Sequence, residues 1–193
     1  MIRFFRKTSL TALTDEQLMC RVGERQDEKA FNELYSRHAR RLMGFFLRAF
    51  RYNEDEAADA CQETFLKVWQ AAEQFNPTSA FRPWLYTIAY NFCRSRFRRS
   101  EQVERYVAEQ LAVTAEAYDD CNELQLDNAT LLKTLSAVLE TLPQESRTLF
   151  ALRFEEELGI TQVAQILGIP EGTVKSRLHR LLNYLKQQLH DYE

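Results

Sequence analysis

Apolar residues recur at helical spacing along most of this chain, and few residues interrupt the pattern. The spacing is clear in a set of six residues that together would line one face of a long helix: Phe31, Leu34, Tyr35, Leu42, Phe45 and Phe46. The 193 residues include only 5 glycines and 4 prolines, the two residue types that interrupt helices most strongly. The sequence therefore predicts an all-α protein.

Capping residues indicate where the predicted helices begin. Thr14 and Gln17 have the spacing of a capping box, which predicts a helix that starts near Asp15. Asp27 and Asn53 can cap the next two helices through their side-chain oxygens. The further predicted helices cover residues 28–50, 54–75, 82–99, 129–141, 144–156, 161–167 and 171–189.

Charge is unevenly distributed along the chain, and a basic segment is followed directly by an acidic one. The net charge is only −3, but residues 74–100 contain five basic residues and no acidic one. Residues 101–128 contain eight acidic residues and one basic residue. Such asymmetry is more informative than the net charge. We predict two small helical domains, residues 14–100 and 129–190, joined by an acidic linker, residues 101–128, that is flexible or loosely helical.

Membrane, secreted and metal-binding classes find little support in the sequence. No apolar run approaches the roughly 18 residues that span a bilayer, and the basic start of the chain lacks the apolar core of a signal peptide. The cysteines are widely spaced, which favours reduced thiols in a cytosolic protein over a redox or metal role. They are Cys20, Cys61, Cys93 and Cys121, and the histidines that such a metal role would recruit are His38, His179 and His190.

Arginines and aromatic residues alternate between Phe75 and Arg99. Basic side chains attract a phosphate backbone, and aromatic faces stack on unpaired bases. A helical wheel predicts an apolar face around Trp84, an aromatic face that includes Tyr86, and a polar, basic face. The polar face carries Thr87, Asn91, Arg94 and Arg98. The pattern favours a surface for single-stranded nucleic acid; the alternative is that the aromatics pack in a core and the arginines are solvated.

Residues 160–186 have the pattern of a helix-turn-helix. A short apolar helix is followed by Gly168, which permits the turn, and by a longer amphipathic helix. On this second helix Val174, Leu178, Leu181, Leu182 and Leu185 form the predicted inner stripe. Its opposite face is polar and basic and begins near the helix N-terminus, where base edges are usually read. Lys175 or Arg180 can pair with guanine. The alternative is an ordinary amphipathic helix with a solvated basic face.

The helix predicted over residues 54–75 has an acidic side. Asp55, Asp59, Gln62, Glu63 and Thr64 lie beside its apolar residues Phe65 and Trp69. A solvated acidic face is common on surface helices. A docking surface for a protein partner is the second interpretation.

Taken in order, these segments resemble a bacterial RNA polymerase sigma factor of the extracytoplasmic-function (ECF) group of the sigma-70 family. Residues 30–38 resemble the start of the family's promoter-melting domain, and residues 59–69 resemble its polymerase-binding helix. Residues 81–91 resemble its segment for the minus-ten promoter element. Residues 142–154 and 166–181 resemble its minus-thirty-five-binding domain. The resemblance covers most of the chain and implies a sigma region 2 and a sigma region 4.

The resemblance also implies three sets of contact residues. The minus-ten strand would meet Phe75, Asn76, Phe81, Arg82, Tyr86, Asn91, Arg94 and Arg98. The minus-thirty-five duplex would meet Thr173, Lys175, Ser176, Arg177, His179 and Arg180. Core polymerase would meet Asp55, Asp59, Gln62, Glu63 and Phe65. The loop of residues 75–81 would capture a flipped base, since stacking returns about 1–3 kcal/mol per base against a flipping cost of a few kcal/mol.

The implied partners are core RNA polymerase, through its β′ clamp and β flap, promoter DNA, and an anti-sigma factor that is often membrane-anchored. The implied location is the bacterial cytoplasm or, through that factor, the inner membrane. No cofactor, metal or small-molecule substrate is expected. A stand-alone helix-turn-helix regulator that binds duplex DNA is the alternative, but it leaves the aromatic-basic segment and the acidic linker unexplained. An enzyme is disfavoured, because the sequence has no phosphate-binding loop, metal-ligand spacing or nucleophile motif.

Overall fold

The computed structural model describes residues 9–110 and 128–190, with side chains described for residues 9–98 and 135–189. These residues form α-helices and short 3₁₀ and π turns without a β-strand, which confirms the all-α prediction. The helices are α1 (Asp15–Arg25), α2 (Glu28–Ala49), α3 (Glu54–Gln70), α4 (Phe81–Gln110), α5 (Asn128–Thr141), α6 (Gln144–Phe150), α7 (Ile160–Leu167) and α8 (Glu171–His190).

The predicted caps begin the first three helices. The Thr14 hydroxyl accepts from the Gln17 N–H at 3.3 Å, and the Gln17 side chain accepts from the Thr14 N–H at 3.0 Å, which completes the capping box. The Asp27 carboxylate accepts from two N–H groups at the start of α2. Asn53 accepts from the Glu56 N–H at 3.1 Å at the start of α3. Caps of this kind stabilise a helix by about 1 kcal/mol each.

Three helix ends differ from the predictions. The helix α3 ends at Gln70 rather than near residue 75, because the chain tightens into a 3₁₀ turn at Ala72–Gln74. The helix α4 runs on to Gln110, since residues 101–110 are rich in helix formers, so the start of the predicted linker is helical. The helix predicted over 144–156 becomes a π turn at Ala151–Glu155. Residues 111–127 of the linker lie outside the described residues.

The chain divides into two compact units within the first half of α4. The bulk of the residues through Tyr90 forms one unit, and the bulk of the residues from Asn91 onward forms a second. We call α1–α3 with residues 81–90 the N-terminal unit, and α5–α8 the C-terminal unit. The domain boundaries at residues 100 and 129 stay predictions.

The N-terminal unit has a core rich in aromatic rings. Its largest fully buried side chains come from all four helices: Leu18, Met19, Val22, Leu34, Leu42, Phe45, Phe46, Val68, Phe81, Leu85 and Tyr86. Phe45 makes edge-to-face contacts with Phe46 and with Tyr86, each with ring centroids 5.4 Å apart. Such pairs add to the free energy of burial and favour one arrangement of the rings.

Polar contacts also connect α1 to its neighbours. Asp15 accepts from Arg37 at 2.9 Å and pairs with His38 at 2.7 Å. The hydrogen bond from His38, followed by the contacts of Arg37, holds the pKa of Asp15 below its ordinary value although partial burial opposes this. Arg37 also donates to the main-chain carbonyls of Leu13 and Thr11, which fixes the segment before α1.

The C-terminal unit is held by an aliphatic cluster between α5 and α8. Val138, Leu139 and Leu142 pack with Leu181 and Leu185, and all five are buried. Arg147, also buried, donates to the carbonyls of Leu142 and Glu140 near the end of α5. This side chain satisfies helix-end acceptors that would otherwise lack partners. The C-terminal unit therefore has a packed core that holds α8 against α5.

Candidate nucleic-acid interface

The helix-turn-helix predicted near the C-terminus is present. Val163, Ala164, Ile166 and Leu167 of α7 are all buried. Gly168 follows them with a φ of +66°, in the left-handed region that favours glycine. The Thr161 hydroxyl and the Glu171 carboxylate meet at 2.7 Å, which joins the start of α7 to the start of α8.

The polar face predicted for α8 is exposed. Lys175, Ser176, His179, Arg180 and Asn183 all face solvent. Val174, Leu178, Leu181 and Leu185 on the opposite side are at most 7% exposed. Leu182 was predicted to join this stripe, and that prediction is wrong. It is 46% exposed, because it lies at the edge of the stripe, beyond the reach of the packed helices.

Four of the predicted contact residues of α8 have side-chain partners within the unit. The Arg180 Nε–H donates to the carbonyl of Ser176 at 3.5 Å, and the His179 ring pairs with the Asn183 side chain at 3.0 Å. The Arg177 guanidinium meets the Glu145 carboxylate at 2.8 Å. The Ser176 hydroxyl donates to the carbonyl of Thr173 at 3.0 Å, and Thr173 itself is half-buried. Among the predicted contact residues, Lys175 in the second turn of α8 and Arg180 midway along it are the exposed lysine and arginine.

The predicted base-capture loop is a short exposed segment between two buried phenylalanines. Residues 76–80 are all exposed, whereas Phe75 and Phe81 are 6% and 0% exposed. Asn76 shapes the loop, since its side-chain oxygen accepts from the Thr78 N–H at 3.0 Å and from the Thr78 hydroxyl at 2.8 Å. The Ser79 N–H closes a turn on the Asn76 carbonyl at 2.9 Å. Only the loop itself, with Asn76, is accessible to a ligand.

The predicted exposed aromatic face is wrong for Tyr86, which is 1% exposed and packs on Phe45. Phe75 and Phe81 are also core residues, with ring centroids 6.2 Å apart. Trp84 lies 5.1 Å from Phe75 and 6.0 Å from Phe81. The wheel of α4 could not show that Phe81 and Tyr86 are buried, because it leaves out His38 and Phe45 of α2, whose rings contact them.

The polar face predicted for α4 is accessible. Asn91, Arg94 and Arg98 are exposed, and their spacing of three and four residues places them on one side of the helix. Arg82, in the first turn, is half-buried. The three exposed side chains form a continuous polar, basic strip along α4.

The acidic side predicted for α3 is largely exposed, with two corrections and one addition. Asp55, Asp59, Gln62 and Glu63 face solvent, but Thr64 and Phe65 are 0% and 3% exposed. The Phe65 ring packs against Tyr35, 4.7 Å between centroids, and against Phe31. The accessible apolar residue is Leu66, which is 50% exposed.

Sequence reasoning missed Leu66, although the signal was available. At 100° per residue, Leu66 lies between Asp55 and Asp59 on the helical wheel of α3. A single exposed leucine is ordinary on a protein surface, and on α3 it places an apolar side chain in the middle of the acidic side. We call the set Asp55, Asp59, Gln62, Glu63 and Leu66 the α3 face.

The three cysteines described are free thiols, each with a raised pKa. Burial raises the pKa of Cys61 to about 11 and that of Cys93 to about 12, so both are protonated near neutral pH. Burial, then the charge of Glu24, raises the pKa of Cys20. Within the described residues no group of three or more His, Cys, Asp or Glu side chains is placed to hold a metal ion. No helix among them is long and apolar enough to cross a membrane.

Family models match both parts of the chain. Residues 34–103 match sigma-70 region 2, and residues 132–185 match sigma-70 region 4. The first match contains the α3 face, the loop and the polar strip of α4, and the second contains the helix-turn-helix. Both regions together define the class as a sigma factor of the sigma-70 family.

Relatives and solved structures narrow this class. The chain is 33% identical to the ECF RNA polymerase sigma-E factor of Haemophilus influenzae, over 92% of this chain and 96% of that protein. It is 31% identical to the RNA polymerase sigma-H factor of Pseudomonas aeruginosa, over 89% and 91%. CnrH, solved with the cytosolic domain of CnrY, matches with a TM-score of 0.65 and 25% identity, over 93% of this chain and 99% of that one.

RpoE from Bartonella quintana, solved with the anti-sigma factor NepR, matches with a TM-score of 0.63 and 25% identity, over 84% of this chain and 98% of that one. The chain belongs to the ECF sigma factors. It is a transcription initiation factor that binds core RNA polymerase and directs it to promoters. The alternative of a stand-alone helix-turn-helix regulator is not supported, because region 2 is present as well.

Proposed function

We propose that three surfaces of this sigma factor divide its work. The exposed face of α8, chiefly Lys175 and Arg180, reads the minus-thirty-five element as duplex. The loop of residues 76–80 and the polar strip of α4 bind the minus-ten strand after it separates from its complement. The α3 face docks on the β′ clamp of core polymerase. The factor itself carries out no catalysis and acts in the cytoplasm, where its polymerase works.

The observation that carries this proposal is the loop. Residues 76–80 are exposed while both flanking phenylalanines are buried, so a short accessible segment is anchored at both of its ends. Readout of duplex DNA is assigned to α8, the second helix of the helix-turn-helix. Duplex binding alone therefore gives this loop no role. A base flipped out of the stack, by contrast, binds in a pocket that fits it, so the segment of protein that holds the base must keep one shape.

The strip of Asn91, Arg94 and Arg98 fits the adjacent single strand. Its cations attract phosphates, and the amide of Asn91 can donate to or accept from a base edge. Charged contacts to a phosphate backbone weaken as salt rises. We therefore expect promoter opening to depend on ionic strength more steeply than the binding of the α3 face to polymerase does. In that second contact Leu66 contributes an apolar side chain.

We also propose that an anti-sigma factor controls the chain, by occupying DNA-binding or polymerase-binding surfaces and often from a membrane anchor. Support comes from similar structures, in which CnrH is bound to the cytosolic domain of CnrY and RpoE to NepR. Region 4 would in addition meet the β flap of polymerase. Co-expression of the chain with a candidate anti-sigma factor, followed by co-purification, tests the contact with such a factor.

A crossed pair of variants tests the division of work. Core polymerase is mixed with the chain, and opening is followed by the fluorescence of 2-aminopurine placed in the minus-ten element. Asn91→Ala with Arg94→Ala removes two contacts worth about 1 kcal/mol each, so opening falls roughly tenfold or more while polymerase binding is retained. Asp59→Ala with Leu66→Ala weakens polymerase binding and leaves opening by the assembled complex intact.

The outcome that contradicts the proposal is equal loss of both activities in both variants, since that would make the strip and the α3 face merely structural. Tight unassisted binding of the wild-type chain to duplex DNA, without promoter-dependent transcription by core polymerase, would contradict it as well.

A further inference from the structure

Helix α1 contacts the chain on both sides of the proposed base-capture loop. Before the loop it meets the 3₁₀ turn Ala72–Gln74, and after the loop it meets the first residue of α4. The two contacts come from Gly23 and Glu16. These residues are seven positions apart, so they lie on the same side of α1 and about 10 Å apart along its axis.

The contact after the loop is an N-terminal cap provided from a distance. The helix α4 begins at Phe81, and Ala80, which precedes it, has no side-chain oxygen with which to cap it. The Glu16 carboxylate takes that role, because its Oε1 accepts from the Phe81 N–H at 3.0 Å. A carboxylate at this position also interacts favourably with the positive end of the helix dipole.

The charge state of Glu16 agrees with this geometry. Burial favours the protonated acid, but hydrogen bonds from the Phe81 N–H and from the main chain of Glu16 itself outweigh burial and lower the pKa of Glu16. The neighbouring Asp15 pairs with His38 at 2.7 Å, and the His38 ring lies 5.2 Å from the ring of Phe81. Two acids of α1 are therefore connected to Phe81, Glu16 directly and Asp15 through His38.

The contact before the loop is a close approach of two backbones. A Cβ atom at Gly23 would lie 2.6 Å from the carbonyl oxygen of Ala72 and 3.0 Å from its carbonyl carbon. Real Cβ atoms essentially never approach a backbone atom so closely, and backbone cannot move aside as a flexible side chain can. Only glycine allows α1 to meet the 3₁₀ turn that leads into Phe75.

We propose that α1 positions the base-capture loop, with Glu16 and Gly23 as the positioning residues that hold its two ends at a fixed separation. The inference rests on the proposed function of residues 76–80. Neither residue touches DNA. Each acts by fixing a buried phenylalanine, Phe81 in one case and Phe75 in the other, so the exposed loop between them keeps one shape. Base selectivity at the minus-ten element then depends on α1.

The test measures base preference rather than activity alone. Holoenzyme is assembled from core polymerase and the chain, and it is given a promoter library randomised in both the minus-ten and the minus-thirty-five elements. DNA in heparin-resistant open complexes is sequenced. For Glu16→Ala, the preference at the most selective minus-ten position is expected to fall roughly tenfold, the effect of losing a hydrogen bond to a charged group. The preference within the minus-thirty-five element is expected to stay as in the wild type.

Matched variants separate positioning from general destabilisation. Glu16→Gln keeps a carbonyl acceptor for the Phe81 N–H and should restore most of the preference. Gly23→Ala should reduce the preference as Glu16→Ala does, whereas Gly44→Ala should not, because nothing lies within 4 Å of a Cβ atom at Gly44. Glu24→Ala removes an exposed carboxylate from the same helix and should behave as wild type.

Two results would overturn the inference: an unchanged minus-ten preference in Glu16→Ala and Gly23→Ala, or an equal loss of preference in both promoter elements. Circular dichroism shows whether each variant is folded. If Glu16→Ala is not folded, Glu16→Gln still tests the role of the Glu16 side chain as an acceptor. Failure of the wild-type holoenzyme to select any minus-ten sequence would refute the proposed function of the loop instead.

Discussion

The N-terminal and C-terminal units present their candidate DNA contacts in different ways. In the C-terminal unit the contacts lie on one helix, α8, and their exposure follows from the period of that helix alone. In the N-terminal unit the exposed loop stands between Phe75 and Phe81, which are buried against other helices. A regular helix suits a regular duplex groove. An unpaired base binds in an irregular pocket, and several elements together are needed to fix the shape of such a pocket.

The difference extends to what stabilises each unit. The C-terminal scaffold relies on an aliphatic cluster, and its pair Arg177–Glu145 lies at the surface, where ion pairs contribute little. The N-terminal unit adds half-buried polar contacts, in which Asp15 pairs with His38 and Arg37. We therefore expect the two units to respond differently to core truncation, to loss of surface charge and to acid.

The largest effect is expected from a neighbouring pair of leucines in α8. Leu181 is 5% exposed and belongs to the aliphatic cluster, whereas Leu182 is 46% exposed. Leu181→Ala should lower the free energy of unfolding of the C-terminal unit by about 2–4 kcal/mol, and Leu182→Ala should change it little. Amide hydrogen exchange in α5–α8 measures both. If the two substitutions had equal effects, the assignment of the α8 stripe would be wrong.

A second comparison concerns two arginines of α8. Arg180 is exposed on the polar face, whereas Arg177 is paired with Glu145 at 2.8 Å. Arg180→Ala should weaken binding of holoenzyme to its minus-thirty-five duplex by about 1–3 kcal/mol, the range for a lost base contact. Arg177→Ala should have a smaller effect. Titration of labelled duplex at one fixed salt concentration gives both values, and the reverse order would place Arg177 at the DNA instead.

A third and smaller effect should appear only in the N-terminal unit and should depend on pH. The pKa of Asp15 is lowered in the folded state, so ionised Asp15 stabilises the fold above its unfolded-state pKa of roughly 3.9. This contribution is lost as the pH falls through the lower, folded-state pKa. Asp15→Asn should cost about 1 kcal/mol at pH 7, and the difference from wild type should shrink below about pH 4.

Tryptophan fluorescence during urea unfolding measures this effect selectively, because both tryptophans of the chain, Trp69 and Trp84, belong to the N-terminal unit. Asp59→Asn serves as a control, since Asp59 lies exposed on α3. A difference between Asp15→Asn and wild type that persisted unchanged at acid pH would show that the ionised carboxylate is not what stabilises α1.

The parts of the site that could be predicted from sequence are those in which one helix carries the pattern. The capping residues Thr14, Asp27 and Asn53, the turn at Gly168 and the polar face of α8 all follow from local rules. Leu182 and Phe65 show the limit of such rules. A helical wheel says which residues share a face, but it does not say how wide a stripe the neighbouring helices cover or which apolar residue on α3 stays exposed.

By itself, the sequence determined the helical class, the order of the helices and the family to which the chain belongs, because each is encoded in residue periodicity or in short motifs. Tertiary structure alone decided that Phe75, Phe81 and Tyr86 are buried supports and that Glu16 caps a helix 65 residues further on. The physical reason is that burial and capping at a distance depend on which elements meet. Such meetings are set by the packing of the whole unit and leave no periodic signal in any one segment.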